Sequence, residues 1–170
     1  IKIIEKLDAG PIIAQDKIQI PPTFNKEQLS NSLSLLGIKL LIETIPKIFN
    51  NEVTLIKQVE KDATYANKIT SENRKINFNN SVVNIINHIR AHAPRPAAWF
   101  YLDDERIKII HARPGHLKGE VATVLSNNLE IACNDGSIKP LILQREGKKI
   151  VTIDDFLRGF RLKLNSKINA

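Results

Sequence analysis

Asp8 and Gly10 share a short bend, Glu5-Lys6-Leu7-Asp8-Ala9-Gly10-Pro11, set between two apolar runs at residues 1–4 and 12–14. Both runs have strand-like composition. This places the Asp8 carboxylate at the end of a strand, where parallel sheets carry their chemistry. Asp and Gly also suit plain turns for backbone reasons alone, so the bend by itself leaves both readings open. The histidines offer less. His88 and His92 stand four apart at helical spacing, but no third ligand and no intervening glutamate accompany them, so no metal is expected. His111 and His116 flank a turn and are expected at the surface. A lone Cys133 excludes an internal disulfide and a cysteine-based zinc site; its expected place is a small buried apolar position.

Cationic side chains are the second candidate chemistry. The 170 residues carry a net charge of +7, and residues 82–170 hold 14 Lys and Arg against 9 Asp and Glu. Such an excess suits a polyanion partner, and many soluble surfaces also carry it. Candidate phosphate contacts are Arg90, Arg95, Lys139, Arg158 and Arg161, with Lys148-Lys149 on a turn as the best pair. Arg106 and Lys108 on an expected strand join them, as do Arg113, Lys118 and Lys163. Contacts of this kind supply affinity and register but not sequence choice. Trp99, Phe100 and Tyr101 could stack on bases, although Trp99 is expected in the core beneath the helix at 82–89.

The elements that must position these residues follow from periodicity. Residues 12–20 read as a strand ended by Pro21 and Pro22. A helix begins at Asn25, with Leu29, Leu33, Leu36 and Leu40 at helical spacing, and Pro46 is expected to end or kink it near Ile45. Strand, turn, strand and helix make the closing part of an α/β domain, too few strands to bury both faces of a sheet. Residues 50–80 are polar and aperiodic, as in a linker laid over a surface. A second unit opens at Ser81 with a short helix stopped by Pro94 and Pro96. Five strands are expected at 98–102, 106–112, 120–125, 129–133 and 138–144, then a helix at 153–160 capped by Thr152. Short, evenly spaced strands suggest a small closed or partly open barrel. No apolar run is long enough to span a membrane. With no methionine present, the sequence reads as a fragment whose N-terminal part lies upstream.

Several stretches then resemble one family. Leu7-Asp8-Ala9-Gly10 is similar to the Leu-Asp-x-Gly loop of the folate-dependent formyltransferases. Ala63-Thr64-Tyr65-Ala66-Asn67-Lys68-Ile69 resembles the Thr-Tyr-Ala-x-Lys linker of the branch that formylates methionyl-tRNA. Ile76-Asn77-Phe78 resembles the Ile-Asp-Trp that follows there. Ile89-Arg90-Ala91 with Pro94, Pro96 and Trp99 resembles its helix end, and Cys133-Asn134-Asp135-Gly136 and Gly147-Lys148-Lys149 fit its barrel hairpins. The resemblance runs through nearly the whole chain in order. Formyltransferases acting on sugar-nucleotide amines in lipid A modification share the plan and stay open as an alternative, as does a stand-alone RNA-binding fragment.

The resemblance implies the following. The fold would be the α/β remnant of a Rossmann-like formyltransferase domain (residues 1–50), a linker (51–80) and an OB-like small β-barrel domain with flanking helices that binds tRNA (81–170). The formyl donor would be 10-formyltetrahydrofolate and the acceptor initiator methionyl-tRNA, with no metal and no membrane, in a bacterial cytoplasmic monomer; an organelle is also open. Asp8 would be catalytic, orienting a histidine, with Leu7 and Gly10 in the folate loop. The family's Asn-x-His partners match nothing in these residues, so the chain alone is expected to be inactive.

Overall fold

The computed structural model describes residues 1–168. Two compact units emerge, one of residues 1–24 and 28–68, the other of 25–27 and 69–168.

The second unit is built on an antiparallel sheet. Helix α1 (Lys26–Phe49) precedes it in sequence, and helix α2 (Val82–His92) packs on it. Ser81 caps α2 by accepting a hydrogen bond from the Asn84 amide, and the Asp135 carboxylate takes the Val82 amide at 2.7 Å. Ile85, Ile89 and His92 recur at helical spacing and form its buried face. Strand β1 (Ala98–Leu102) turns through Asp103 and Asp104, both left-handed, into antiparallel β2 (Glu105–Pro114). That turn matches the twist of a two-residue hairpin. Strand β3 (Ile131–Cys133) pairs with β4 (Gly136–Arg145), which also pairs with β2 and with the short β5 (Ile150–Thr152). The order is β1-β2-β4-β3, with β5 also beside β4. Helix α3 (Ile153–Arg158) follows, capped by the Thr152 hydroxyl as its sequence predicts. Phe100, Ile107, Ile109, Ile138 and Leu143 form one core with Ile85 and Ile89 of α2, joined by Ile76 and Phe78 from the preceding segment. The Phe78 and Phe100 rings meet edge to face at 5.7 Å.

Several sequence expectations change. Residues 120–125 form no strand. Ala122 and Leu129 are left-handed, and only single bridges tie Thr123 to Lys167 and Val124 to Ile131. The apolar alternation is real, but the segment is pinched between two chain stretches. Strand β5 takes the fifth place in the sheet. Trp99 is buried, at 2% exposure, but not under α2. Alternation along β1 turns Phe100 to the core shared with α2 and Trp99 to the opposite face. There the indole N–H donates to the Ser71 carbonyl at 3.0 Å.

In the first unit, α1 runs through Pro46 to Phe49. A proline this close to the end removes one hydrogen bond of the last turns. The Asn50 amide still reaches the Pro46 carbonyl at 3.0 Å, and left-handed Asn51 then closes the helix. No residue of α1 is fully buried; Leu29, Leu36 and Leu40 are half-buried, while Leu35, Leu41 and Ile42 are exposed. Residues 12–20 form no strand either. Ile12 alone makes an antiparallel bridge, to Ile56. Strand composition gives a strand only where a partner supplies the ladder.

Candidate active-site loop and basic surface

The Asp8 bend is a closed loop. The Lys2 amide donates to the Pro11 carbonyl at 2.9 Å across its neck. Asp8 sits at φ 53°, a left-handed conformation that Asp tolerates better than most residues because its short polar side chain can bond locally. Gly10 is buried, and a Cβ there would lie 1.7 Å from the Lys2 carbonyl oxygen, so no other residue fits the neck. Leu7 is 86% exposed, and Asp8 is exposed beside it. The three residues expected in the folate loop are therefore in one turn, with Gly10 as its foundation and Leu7 and Asp8 at its surface.

A residue that the motif did not reveal holds this turn from outside. The Gln58 side-chain amide donates to the Asp8 carbonyl at 2.9 Å and to the Gly10 carbonyl at 2.6 Å. Two residues earlier Ile56 exchanges both backbone hydrogen bonds with Ile12, at 2.8 and 2.9 Å. Two residues later Glu60 pairs with Lys6, which holds the Glu60 carboxyl below its ordinary range. Spacing of two along an extended segment brings 56, 58 and 60 to the same loop. Nothing in the polar stretch around Gln58 marks it in sequence.

The basic candidates lie on several different elements. Arg90, near the end of α2, donates to the Asn87 side chain at 2.9 Å, and Arg95 is exposed between Pro94 and Pro96. Lys139 of β4 stands directly opposite Arg113 of β2. Lys148 and Lys149 are exposed on the β4–β5 turn, about 20 Å along the strand from Lys139 at the usual rise per residue. Arg158 pairs with Asp155 at 2.9 Å, and Arg161 is exposed. Arg106 is committed elsewhere. Its guanidinium lies 4.3 Å from the Trp99 ring centre and 3.6 Å from Glu146. Like charges directly opposite on paired strands repel, an effect that the Glu130 carboxylate near Lys139 partly offsets.

Glu130 is a further residue that patterning did not find. It is buried, and one carboxylate oxygen accepts from the His116 amide, the Leu117 amide and the Ser137 hydroxyl at 2.7, 2.8 and 2.7 Å. Burial acts to raise its pKa, but these donors and the nearby Lys139 charge hold it below the ordinary carboxylate value. The latch fixes the turn that follows Arg113. His92 Nδ1–H donates to the His88 carbonyl at 2.8 Å, one helical turn earlier. Burial lowers the His88 pKa, and it raises that of the Cys133 thiol to about 12.

Residues 68–161 match the family described as formyl transferase, C-terminal domain. The chain is 40% identical over 168 residues to the methionyl-tRNA formyltransferase of Pelagibacter ubique, covering 98% of this chain and 54% of that protein. It is 39% identical over 164 residues to the enzyme of that name from Thermodesulfovibrio yellowstonii, covering 94% and 52%. The chain thus spans about half the length of the curated relatives it matches. Among solved structures, HypX from Aquifex aeolicus in complex with tetrahydrofolic acid has a TM-score of 0.72 at 16% identity, over 91% of this chain and 28% of that one. An N-formyltransferase from Helicobacter canadensis, in complex with folinic acid and dTDP-3-aminofucose, has a TM-score of 0.62 at 26% identity, over 84% and 53%.

Proposed function

The chain belongs to the formyl transferase family, through that family's C-terminal domain, and from this premise we propose that it is the Asp8-bearing and tRNA-binding part of a methionyl-tRNA formyltransferase. The observation that carries the proposal is the similarity to an enzyme of that name, 40% identical over 168 residues and covering 98% of this chain. In this reading residues 1–50 close a Rossmann-like folate-binding domain, 51–80 link, and 81–170 form an OB-like barrel. The exposed apolar side chains of α1 suit the surface of such an α/β layer.

The reaction carries a formyl group from 10-formyltetrahydrofolate to the amino group of initiator methionyl-tRNA. The amine nitrogen bonds to the formyl carbon, an oxyanion develops, the amine loses a proton, and the carbon–nitrogen bond to the folate breaks as the departing folate nitrogen takes one up. Asp8 is the carboxylate that orients and electrostatically supports the proton-accepting histidine and positions a relaying water. The Asn-x-His pair that the family uses with it is not among the 170 residues, so activity needs residues beyond them. Arg113 with Lys139 and Lys148 with Lys149 supply phosphate contacts. No helix among the described residues is long and apolar enough to cross a membrane. In this reading the enzyme works on tRNA in the bacterial cytoplasm as a monomer.

The test is formylation of initiator methionyl-tRNA by the full-length enzyme carrying this segment. Asp8→Asn keeps the shape of the side chain and removes its charge. The expected outcome is a loss of kcat of at least about a hundredfold. Undiminished turnover in that variant would remove Asp8 from the mechanism. A second reading, formylation of a sugar-nucleotide amine, draws on the Helicobacter canadensis structure with its dTDP-amino sugar. Offering that sugar in the same assay separates the two: turnover with the sugar and none with the tRNA would favour the second.

A further inference from the structure

We propose that Gln58 is a positioning residue for Asp8. The inference rests on the reading of Asp8 as the site carboxylate. Its physical basis is the bridge between two carbonyls. One side-chain amide spends both of its N–H groups, one on the Asp8 carbonyl at 2.9 Å and one on the Gly10 carbonyl at 2.6 Å. Both partners are acceptors, so only the NH2 end of the amide can face them, and its orientation is forced. The two carbonyls belong to the Asp8–Ala9 and Gly10–Pro11 peptides, and fixing both fixes the peptide planes at either end of the Ala9-Gly10 pair. Asp8 is the residue held at φ 53°, a conformation that an unclamped chain leaves readily. The clamp therefore sets the direction of the Asp8 side chain without touching its carboxylate.

The clamp is itself anchored. The paired hydrogen bonds between Ile12 and Ile56 fix the backbone two residues before Gln58. The Lys6–Glu60 ion pair lies two residues after it, on exposed side chains that contribute little to stability. Gly10 supplies the opposite jaw, since only glycine leaves room for the Lys2 carbonyl beside the neck. A loop held on one side by its own backbone and on the other by a residue 50 positions later is an arrangement for precision, because small misplacements of a catalytic group are costly.

The experiment uses the full-length enzyme that carries this segment, in Gln58→Ala, Gln58→Asn, Glu60→Ala and Asp8→Asn forms. Gln58→Ala should lower kcat for methionyl-tRNA formylation at least tenfold, with the KM values for folate donor and tRNA within about twofold of the unaltered enzyme. Hydrogen exchange in the peptide covering residues 5–12 should speed up at least tenfold. Gln58→Asn keeps the amide on a shorter stem that cannot span both carbonyls, so kcat should fall to an intermediate level. That variant decides the matter if Gln58→Ala does not fold. Glu60→Ala breaks the neighbouring ion pair, leaves the clamp in place, and should retain kcat. Equal kcat in the two Gln58 variants and the unaltered enzyme would overturn the clamp while Asp8→Asn remains inactive. An active Asp8→Asn enzyme would overturn the clamp and the site together.

Discussion

Glu130 illustrates how much a single buried carboxylate can organise. Three donors converge on one of its oxygens, and a Cβ on Gly115 would lie 2.2 Å from that same atom. Glu130→Gln would turn an ionised acceptor into an amide and weaken three hydrogen bonds at a site closed to water. The expected cost is about 1–3 kcal/mol, read as a lower midpoint in urea unfolding. Because its pKa is held down in the folded state, its contribution is fully present above the unfolded carboxylate value. It fades as pH falls through the lowered one. The acid-side loss of stability should therefore shrink in the variant, and an unchanged midpoint with an unchanged acid limb would dismiss the latch. Glu130 and Gln58 were illegible in sequence for the same reason. Each works through backbone groups of a distant turn, and backbone amides and carbonyls leave no trace in residue type. Asp8 and Gly10 were legible because the turn they make is local, and local conformation is written in residue type.

Among the elements, α2 carries a pH dependence. His88 is half-buried, burial lowers its pKa, and the His92 ring stands 4.6 Å away. A histidine whose folded pKa lies below its unfolded value, near 6.5, binds its proton more readily in the unfolded chain. Stability should therefore decline as pH falls from about 7.5 through the ordinary histidine range, and His88→Gln should flatten that decline. Urea midpoints at pH 7.5 and 5.5 for both proteins check this; parallel declines would count against His88. The elements also show what periodicity can and cannot supply. β1 and the capped start of α3 fall where the sequence puts them, because hairpin and cap are local signals. Residues 12–20 and 120–125 have strand composition without a ladder, and β5, three residues long, has a ladder without a strong pattern. In each case the missing information is the partner. Pairing is decided by chain stretches far away in sequence, such as 165–168 against 122–124.

For the molecule as a whole, the basic surface makes a quantitative claim. Arg113 opposite Lys139 and Lys148 beside Lys149 mark two separate stretches along β4 and its turn. If both touch the same tRNA, each phosphate contact releases condensed counterions, and the logarithm of the binding constant falls linearly with the logarithm of salt concentration. Replacing Arg113 and Lys139 by alanine should weaken binding of initiator tRNA and lower the steepness of that line by roughly 1–2, and replacing Lys148 and Lys149 should do the same. Contacts about 20 Å apart share no partner, so the four-residue variant should lose about the sum of the two effects. Filter binding at several salt concentrations measures all of these. A pair whose removal leaves the slope intact is only a solvated surface, and the path of the tRNA then follows the other pair. If neither pair matters, the charge excess of residues 82–170 serves solubility, and the reading of these residues as the tRNA-binding surface falls.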